Sequence, residues 1–202
     1  SSNSSEGNFD DAEVAIEFSS PEAAVENISK ALEAGVPVVS GTTGWLAKYD
    51  EMVNLCEKRN GSFITASNFS VGVNLFFSIN EYAAKLMAPW KEYDVSVEEI
   101  HHTEKKDAPS GTAITIAEGI LKHSEKQDWK LDASEENMLK ITAKREEDVK
   151  GTHIVSYNSS IDTISLEHVA HSREGFAKGA ILAAEFLKDK KGIFTMKDVL
   201  AP

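Results

Sequence analysis

The stretch VPVVSGTTG, residues 36–44, decides the fold class of this chain. Its first half is a short β-branched run typical of a fully buried strand, and its second half is a turn rich in glycine and threonine. Segments with helical character lie on both sides of it, at residues 20–35 and 46–59. Apolar runs at residues 14–18 and 62–66 flank those helices, so strands and helices alternate, with connections too long for hairpins. The pattern predicts a parallel sheet with crossover helices.

The ends of the first predicted helix follow from local rules. Ser20 can cap it, Pro21 suits the first helical position, and Gly35 is a natural C-terminal stop. A longer amphipathic helix is predicted from Val73 to Met87, because its apolar residues recur with a period close to 3.6. A further apolar, alanine-rich helix is predicted at residues 176–188.

Beyond residue 90 the pattern becomes that of an α+β protein. A half-buried strand is predicted at residues 95–101, and two neighbouring strands at residues 152–157 and 163–169. Residues 124–150 look charged and irregular, with at most a helical turn or two around residues 135–139. We expect the charge run within that segment, Lys144 to Lys150, to be a solvated surface or loop.

Composition excludes several classes of function. The 41% hydrophobic content excludes a disordered chain, and 21 Lys and Arg against 33 Asp and Glu give a net charge of −12. Such acidity disfavours nucleic acid or an anionic membrane as the main partner. The polar start SSNSSEGNFDD lacks the features of a signal peptide, and no run approaches the roughly 20 apolar residues of a membrane span. We therefore expect a soluble, cytoplasmic protein in which the single cysteine, Cys56, is a packing residue.

The segment EIHHTEKKDAPSGTA, residues 99–113, is the strongest candidate for a functional site. It places two histidines and two lysines between a strand end and the helix start at residues 110–112, where the helix dipole favours an anion. A histidine can also give or take a proton near neutral pH. Read from the residues alone, the segment is either a carboxylate-binding site with a proton donor or only a helix cap. No metal site is expected, because His101 and His102 should point to opposite faces of the strand.

This segment resembles the signature of the 4-hydroxy-tetrahydrodipicolinate reductase (dihydrodipicolinate reductase) family, the reductases of diaminopimelate and lysine biosynthesis. The resemblance lies in the Glu and apolar residue before His-His, the Lys three residues later, and Asp-x-Pro-Ser-Gly-Thr-Ala. Three more segments are similar in order and spacing: GTTG at 41–44, ASNFSVGVN at 66–74 and GFAKGA at 175–180. The resemblance therefore covers nearly the whole chain.

The resemblance implies an enzyme that reduces 4-hydroxy-tetrahydrodipicolinate, a cyclic dicarboxylate, to tetrahydrodipicolinate with NADPH or NADH, and a homotetramer. By matched position, His101 would be the general acid/base and Lys105 a second proton donor. The residues that would bind substrate are His102, Ser110, Gly111 and Thr112, with Arg173 as a weaker candidate. The residues that would line the nicotinamide and its ribose are Gly41, Thr42, Thr43, Ala66, Ser67, Asn68 and Phe69.

The same resemblance implies a division into domains. Residues 1–70 would be a partial dinucleotide-binding domain, with residues 176–202 packing back on it. Residues 71–175 would be a substrate-binding and oligomerisation domain of the α+β type. The expected fold class is thus α/β, with an incomplete Rossmann-type parallel sheet followed by an α+β domain.

The chain departs from the family in one respect. A complete dinucleotide fold opens with a strand, a Gly-x-Gly-x-x-Gly turn and a helix, and the early glycines here are only Gly7, Gly35, Gly41 and Gly44. We therefore expect the first βαβ unit to be absent, a shortfall of roughly 40 to 50 residues. Three hypotheses remain at this point: part of such a reductase, a non-catalytic dicarboxylate-binding or oligomerising variant, or a different Rossmann-type reductase.

Overall fold

The structure, a computed structural model, describes residues 9–201 and divides them into two compact units. The first unit consists of the described residues up to Val71 together with those from Glu174 onward. The second unit runs from Gly72 to Arg173. Most of the polar lead-in, residues 1–8, lies outside the described residues.

The elements follow one another in a mixed order. The strands are β1 (Ala15–Glu17), β2 (Val38–Ser40), β3 (Ser62–Thr65), β4 (Asp94–His101), β5 (Asp128–Leu131), β6 (Met138–Arg145), β7 (Thr152–Asn158), β8 (Thr163–Val169) and β9 (Gly192–Phe194). The helices are α1 (Pro21–Glu33), α2 (Tyr49–Lys58, preceded by a 3₁₀ turn at Leu46–Lys48), α3 (Val71–Met87), α4 (Gly111–Leu121), α5 (Glu174–Leu187) and α6 (Met196–Val199). None of the described helices combines the length and apolarity that a bilayer crossing requires.

The first unit is built on a parallel sheet in the order β1-β2-β3-β9. Side chains alternate across it, so Val38 and Phe63 pack in a core with α1 and α2, while Val39 and Ile64 pack in a core with α5 and α6. Burial on both faces explains why these strands read as continuous apolar runs. The predicted parallel sheet is confirmed, and β9 adds a strand that was not predicted.

The start of α1 differs from its prediction in one detail. The helix begins at Pro21, and Ser20 stands at the N-cap position, but the Ser20 side chain makes no capping hydrogen bond. The pKa of Glu22 is lowered by a backbone hydrogen bond and by a hydrogen bond with the Ser20 side chain. The Ser20 hydroxyl therefore interacts with the Glu22 carboxylate rather than with a backbone N–H of the helix. The stop at Gly35 is confirmed: its φ is 77°, and Val36 N–H donates back to Ala31 O at 2.9 Å.

The second unit is built on a mixed sheet in the order β5-β6-β4-β7-β8, with α3 and α4 packed on one face. β5, β6 and β4 run parallel, and β7 and β8 continue antiparallel from β4. Along β4, Val95 and Val97 are buried, and so are Glu99 and His101. Since side chains alternate along a strand, these four residues share the face covered by the helices.

The prediction for residues 124–150 is wrong. The segment contains β5 and β6, and no helix forms around residues 135–139. Leu139 and Ile141 are fully buried and alternate with Lys140 and Thr142, which is a strand period concealed by the charged neighbours. β6 is ordered by pairing on both sides with β4 and β5, a long-range effect that local sequence does not reveal.

Candidate active site

β4 carries His101 into the interior of the second unit. The side chain is buried, and its Nδ1 lies 3.5 Å from Oε2 of Glu99. Burial lowers the pKa of His101; the Glu99 carboxylate opposes this shift, and the charges of Lys105 and Arg145 add to it. At neutral pH the imidazole is therefore held mainly in its uncharged form, close to groups that can change its proton affinity.

Glu99 is the fully buried anion of this cluster. Its carboxylate accepts the backbone N–H of Ser110 at 3.1 and 3.2 Å, and the two Nη groups of Arg145 lie 3.4 and 3.3 Å from its Oε1. Glu99 is 0% exposed, so without these partners its charge would be strongly destabilising. The predicted solvated role of Lys144 to Lys150 is therefore wrong for Arg145, whose guanidinium compensates this buried charge.

The loop after β4 leads from the histidines to α4. Ser110 caps that helix, accepting the Ala113 N–H on its Oγ at 3.1 Å, as predicted. Ser110 and Thr112 are buried and Gly111 is half-buried, so the N-terminal turn of α4 lies beside the Glu99 cluster. The helix cap is therefore confirmed, and the same turn presents backbone N–H groups at the positive end of the α4 dipole, a position that favours an anion.

Lys105 lies in the same loop. Its Nζ is 2.8 and 2.9 Å from the two carboxylate oxygens of Asp107. Burial raises the pKa of Asp107, but hydrogen bonding and attraction from Lys105 outweigh burial and hold that pKa below its ordinary value. The Lys105 charge also acts on His101, so the structure brings together the two residues predicted to handle protons.

His102 lies in a different environment from His101. An Nη2 N–H of Arg173 points to His102 Nε2 at 3.2 Å, and because arginine only donates, Nε2 is the acceptor. The two residues border a surface hollow of about 300 Å³. Its remaining lining residues are Thr103, Glu104, Glu147, Asp148 and Lys150. The weaker candidate Arg173 thus stands next to a predicted substrate residue.

His153 was missed by the sequence analysis. It pairs with Glu99 across β4 and β7, is 4% exposed, and places its Nε2 3.4 Å from Ser110 Oγ. Burial, followed by repulsion from His101, His168 and Lys105, lowers the pKa of His153 to about 3. A polar residue at an inward position of the predicted strand 152–157 was the available signal.

Glu99, His101 and His153 also offer three potential ligand atoms within 4.8 Å of one another. The expectation of no metal rested on the opposite faces of His101 and His102 and on the single Cys and scattered His of the chain, so it did not address this group. Here the carboxylate already faces the guanidinium of Arg145, and the Lys105 charge acts on both imidazoles. These cations oppose a metal ion, and we assign none.

The predicted cofactor residues lie in the first unit, after two adjacent parallel strands. Gly41–Thr43 follow β2, Ala66–Phe69 follow β3, and the Ala66 N–H donates to Ser40 O at 3.2 Å. Thr43 and Ser67 are exposed and Gly41 and Ala66 are half-buried, whereas Thr42, Asn68 and Phe69 are buried. The first four can face a ligand at this edge of the sheet, and the other three support the loops.

Glu17 organises this edge and was also missed. Its buried carboxylate accepts hydrogen bonds from Ser40 Oγ at 2.7 Å, Thr42 Oγ1 at 2.9 Å and the Ser19 N–H at 3.0 Å. An acidic residue inside the apolar run VAIEF was the signal. Glu17 joins the loop after β1 to the loop after β2, so the Thr42 hydroxyl is engaged within the protein.

A parallel sheet with loops at its carboxyl edge, joined in one chain to a unit with a buried histidine and a half-buried lysine, is typical of a two-domain oxidoreductase of the dinucleotide-binding class. The family model described as dihydrodipicolinate reductase, N-terminus, matches residues 1–69, and the one described as dihydrodipicolinate reductase, C-terminus, matches residues 72–200. The chain belongs to the dihydrodipicolinate reductase family.

Similar proteins agree with this assignment. The 4-hydroxy-tetrahydrodipicolinate reductase of Christiangramia forsetii is 55% identical over 190 residues, covering 94% of this chain and 80% of that protein. The reductase of the same name from Archaeoglobus fulgidus is 41% identical over 201 residues, covering 94% of this chain and 76% of that protein. The predicted family is confirmed, the different Rossmann-type reductase is excluded, and the non-catalytic alternative is not favoured.

A solved structure supports the fold. The dipicolinate-bound dihydrodipicolinate reductase from Paenisporosarcina sp. TG-14 superposes with a TM-score of 0.74 at 22% identity, covering 93% of this chain and 73% of that chain. The predicted combination of a Rossmann-type parallel sheet with an α+β domain is confirmed.

Proposed function

We propose that this chain catalyses the reduction of 4-hydroxy-tetrahydrodipicolinate to tetrahydrodipicolinate in lysine and diaminopimelate biosynthesis, using a nicotinamide dinucleotide. The observation that carries the proposal is the grouping of His101, Lys105 and the N-terminus of α4 in a member of this reductase family. A proton donor and an anion-binding turn are what the reduction of a cyclic dicarboxylate needs from the protein.

The substrate carries two carboxylates, and the second unit offers a separate site for each. The N-terminal turn of α4, Ser110 to Thr112, presents backbone N–H groups and the positive end of the helix dipole to one carboxylate. For the other carboxylate, Arg173 offers its remaining N–H donors, and His102, whose Nε2 accepts from Arg173 Nη2 at 3.2 Å, holds the guanidinium in place. Such local sites are necessary because the chain as a whole carries a net charge of −12.

His101 and Lys105 are the proposed proton-handling residues. His101 is buried with a lowered pKa, so its imidazole is mainly uncharged at neutral pH, and once it has taken up a proton it gives that proton up readily. Lys105 carries its proton on an ammonium held by Asp107 at 2.8 Å, within electrostatic reach of His101. In this proposal His101 donates the proton that completes the reduction, and Lys105 is the second donor.

The cofactor proposal is NADPH or NADH, which supplies a hydride when bound. The exposed residues Thr43 and Ser67 and the half-buried residues Gly41 and Ala66 fit its nicotinamide end, because they lie at the carboxyl edge of a parallel sheet, where such ligands bind. Thr42, Asn68 and Phe69 hold those loops in place. Both dinucleotides are candidates for this site.

We also propose a cytoplasmic homotetramer assembled through the sheet of the second unit. The face of that sheet opposite α3 and α4 carries apolar side chains on three adjacent strands, Ile100, Ile154 and Val169, and the last is 43% exposed. Apolar side chains on an uncovered sheet face favour association. Light scattering of the purified chain tests this proposal.

The test of the function is an assay coupled to the synthase that makes the substrate, with oxidation of NADH and NADPH followed separately. His101→Gln should lower kcat by about 100-fold or more, since it removes a proton donor. His123→Gln, just beyond the end of α4, is the matched control and should retain full activity.

The assay should include a chimera that also carries the part of the Christiangramia forsetii relative left unmatched by this chain. Activity in the chain or in the chimera supports the reductase function. Absence of activity in both, or full activity of His101→Gln in an active form, would contradict it.

A further inference from the structure

Arg145 ends β6, and its guanidinium is saturated by groups of the protein itself. Nε donates to the carbonyl oxygen of Lys105 at 3.3 Å, Nη1 to that of Lys144 at 2.7 Å, and Nη2 to that of Asp107 at 2.7 Å. Both Nη groups also donate to Glu99, at 3.4 and 3.3 Å. A guanidinium has five N–H donors, and these contacts use all five.

This arrangement differs from that of the other cation beside the site. Arg173 is exposed, and its hydrogen bond with His102 leaves donors available to a carboxylate. Arg145 has only 21% of its side chain exposed, and its donors are committed to one carboxylate and three backbone carbonyls. Binding a substrate carboxylate would require breaking contacts that stabilise the fully buried Glu99.

The contacts of Arg145 and Glu99 join three pieces of chain. Glu99 belongs to β4, two residues before His101, and it also accepts the N–H of the helix cap Ser110. Arg145 extends the connection to the loop that carries Lys105, through the backbone carbonyls of Lys105 and Asp107. The strand of the proposed acid, the loop of the second donor and the anion-binding turn therefore share one buried ion pair.

We propose that Arg145, acting through Glu99 and the loop carbonyls, is a positioning residue that holds Lys105 and the start of α4 in place around His101 without touching substrate. The inference rests on the proposed reductase function.

Lysine cannot replace Arg145 in this role, since an ammonium has three donors and lacks the planar guanidinium geometry that spans a carboxylate and two carbonyls.

The kinetic test compares Arg145→Lys with Lys144→Gln. Lys144 is the neighbouring residue in β6, and its side chain forms an exposed ion pair with Glu98 at 2.7 Å, so this control removes a cation outside the cluster. Arg145→Lys should lower kcat by about tenfold or more, because misplacing a catalytic group by an ångström can cost that much. The control should keep wild-type kcat.

Binding of dipicolinate, an unreactive dicarboxylate, separates positioning from direct contact. We expect the dipicolinate Kd of Arg145→Lys to stay within about threefold of wild type, since the turn at Ser110 and the pair His102–Arg173 remain. A Kd that rises more than about tenfold in Arg145→Gln and is largely restored in Arg145→Lys would identify a direct carboxylate ligand and overturn the proposal.

Arg145→Gln leaves a buried carboxylate unpaired, so it risks failing to fold. The double variant Glu99→Gln/Arg145→Gln removes both charges and avoids this problem. The double variant should show the same loss of kcat as Arg145→Gln, because it also lacks the guanidinium that donates to the loop carbonyls of Lys105 and Asp107. Wild-type kcat in a folded double variant would overturn the proposal.

Hydrogen exchange provides a measurement that does not depend on turnover. Amides of residues 102–108 should exchange faster in Arg145→Lys than in Lys144→Gln, because the loop carbonyls lose their donors. Unchanged exchange would refute the positioning role even in a protein without reductase activity. Loss of the reductase function alone would instead appear as an inactive wild-type chain and chimera with this exchange difference intact.

Discussion

The contact between α5 and the loop after β3 makes Gly179→Ala a decisive substitution. Gly179 lies inside α5, where replacing glycine by alanine ordinarily stabilises a helix by about 1 kcal/mol. Here a Cβ would stand 1.8 Å from the carbonyl oxygen of Phe69 and 2.7 Å from its carbon. Both are backbone atoms, so no side-chain rotation can relieve the clash.

The size of the effect follows from the distances. Restoring an ordinary contact of 3.4 Å from 1.8 Å requires the helix and the loop to separate by about 1.6 Å. That movement disturbs the core in which Phe69, Ala180 and Ala183 pack. Overpacking costs about 3 kcal/mol at the upper end of its usual range, so after the helix gain we expect a net loss of about 2 kcal/mol.

Urea unfolding and thermal melting measure this change, and the loss corresponds to a Tm lower by about 4 to 8 °C. Gly175→Ala is the matched control in the same helix. The nearest atom to its Cβ is Ser70 Oγ at 3.3 Å, a hydroxyl that can rotate, so its stability should stay within about 0.5 kcal/mol of wild type. A Gly179→Ala protein as stable as wild type, or more stable, would refute the close approach of α5 to Phe69.

Two other substitutions test buried polar groups of the second unit by urea unfolding. The hydroxyl of Tyr157 is buried with no hydrogen-bond partner among the described residues, and burial raises its pKa to about 12. Tyr157→Phe should therefore leave the stability unchanged or raise it by about 1 kcal/mol. A loss above about 1 kcal/mol would contradict this expectation. Burial keeps His153 neutral, because it lowers the pKa of this histidine from 6.5 to about 3. Between pH 6.5 and about pH 3 the unfolded chain therefore binds more protons than the folded chain, so acid destabilises the folded state. Between pH 6 and 5 the wild type should therefore lose up to about 1.4 kcal/mol more stability than His153→Gln. Equal slopes in wild type and His153→Gln would refute the shift.

Much of the fold could be predicted because its signals are local. The alternation of apolar strands and helices up to residue 66 depends on short segments that are each buried on a regular face. The Ser110 cap and the Gly35 stop depend on one turn of backbone. The β5 and β6 strands were missed because β6 is stabilised by pairing with β4, which lies far away in sequence, and β5 by pairing with β6.

The candidate site divides in the same way. A single continuous segment carries His101, Lys105 and Ser110, so its chemistry could be recognised from residue types and spacing. Arg145 lies 46 residues after Glu99 in the chain, and both Arg145 and His153 reach Glu99 only through β6 and β7. In the first unit, Glu17 likewise contacts Thr42 across neighbouring parallel strands.

The sequence by itself therefore determined the family, the α/β class and the segment that we propose to handle protons and bind an anion, because the signal for each lies in contiguous residues. Only the tertiary structure decided how that segment is supported. The charge on Glu99 is tolerable at zero exposure only when Arg145 and the Ser110 N–H are brought to it. That convergence depends on strand order and register, which a run of residues does not encode locally.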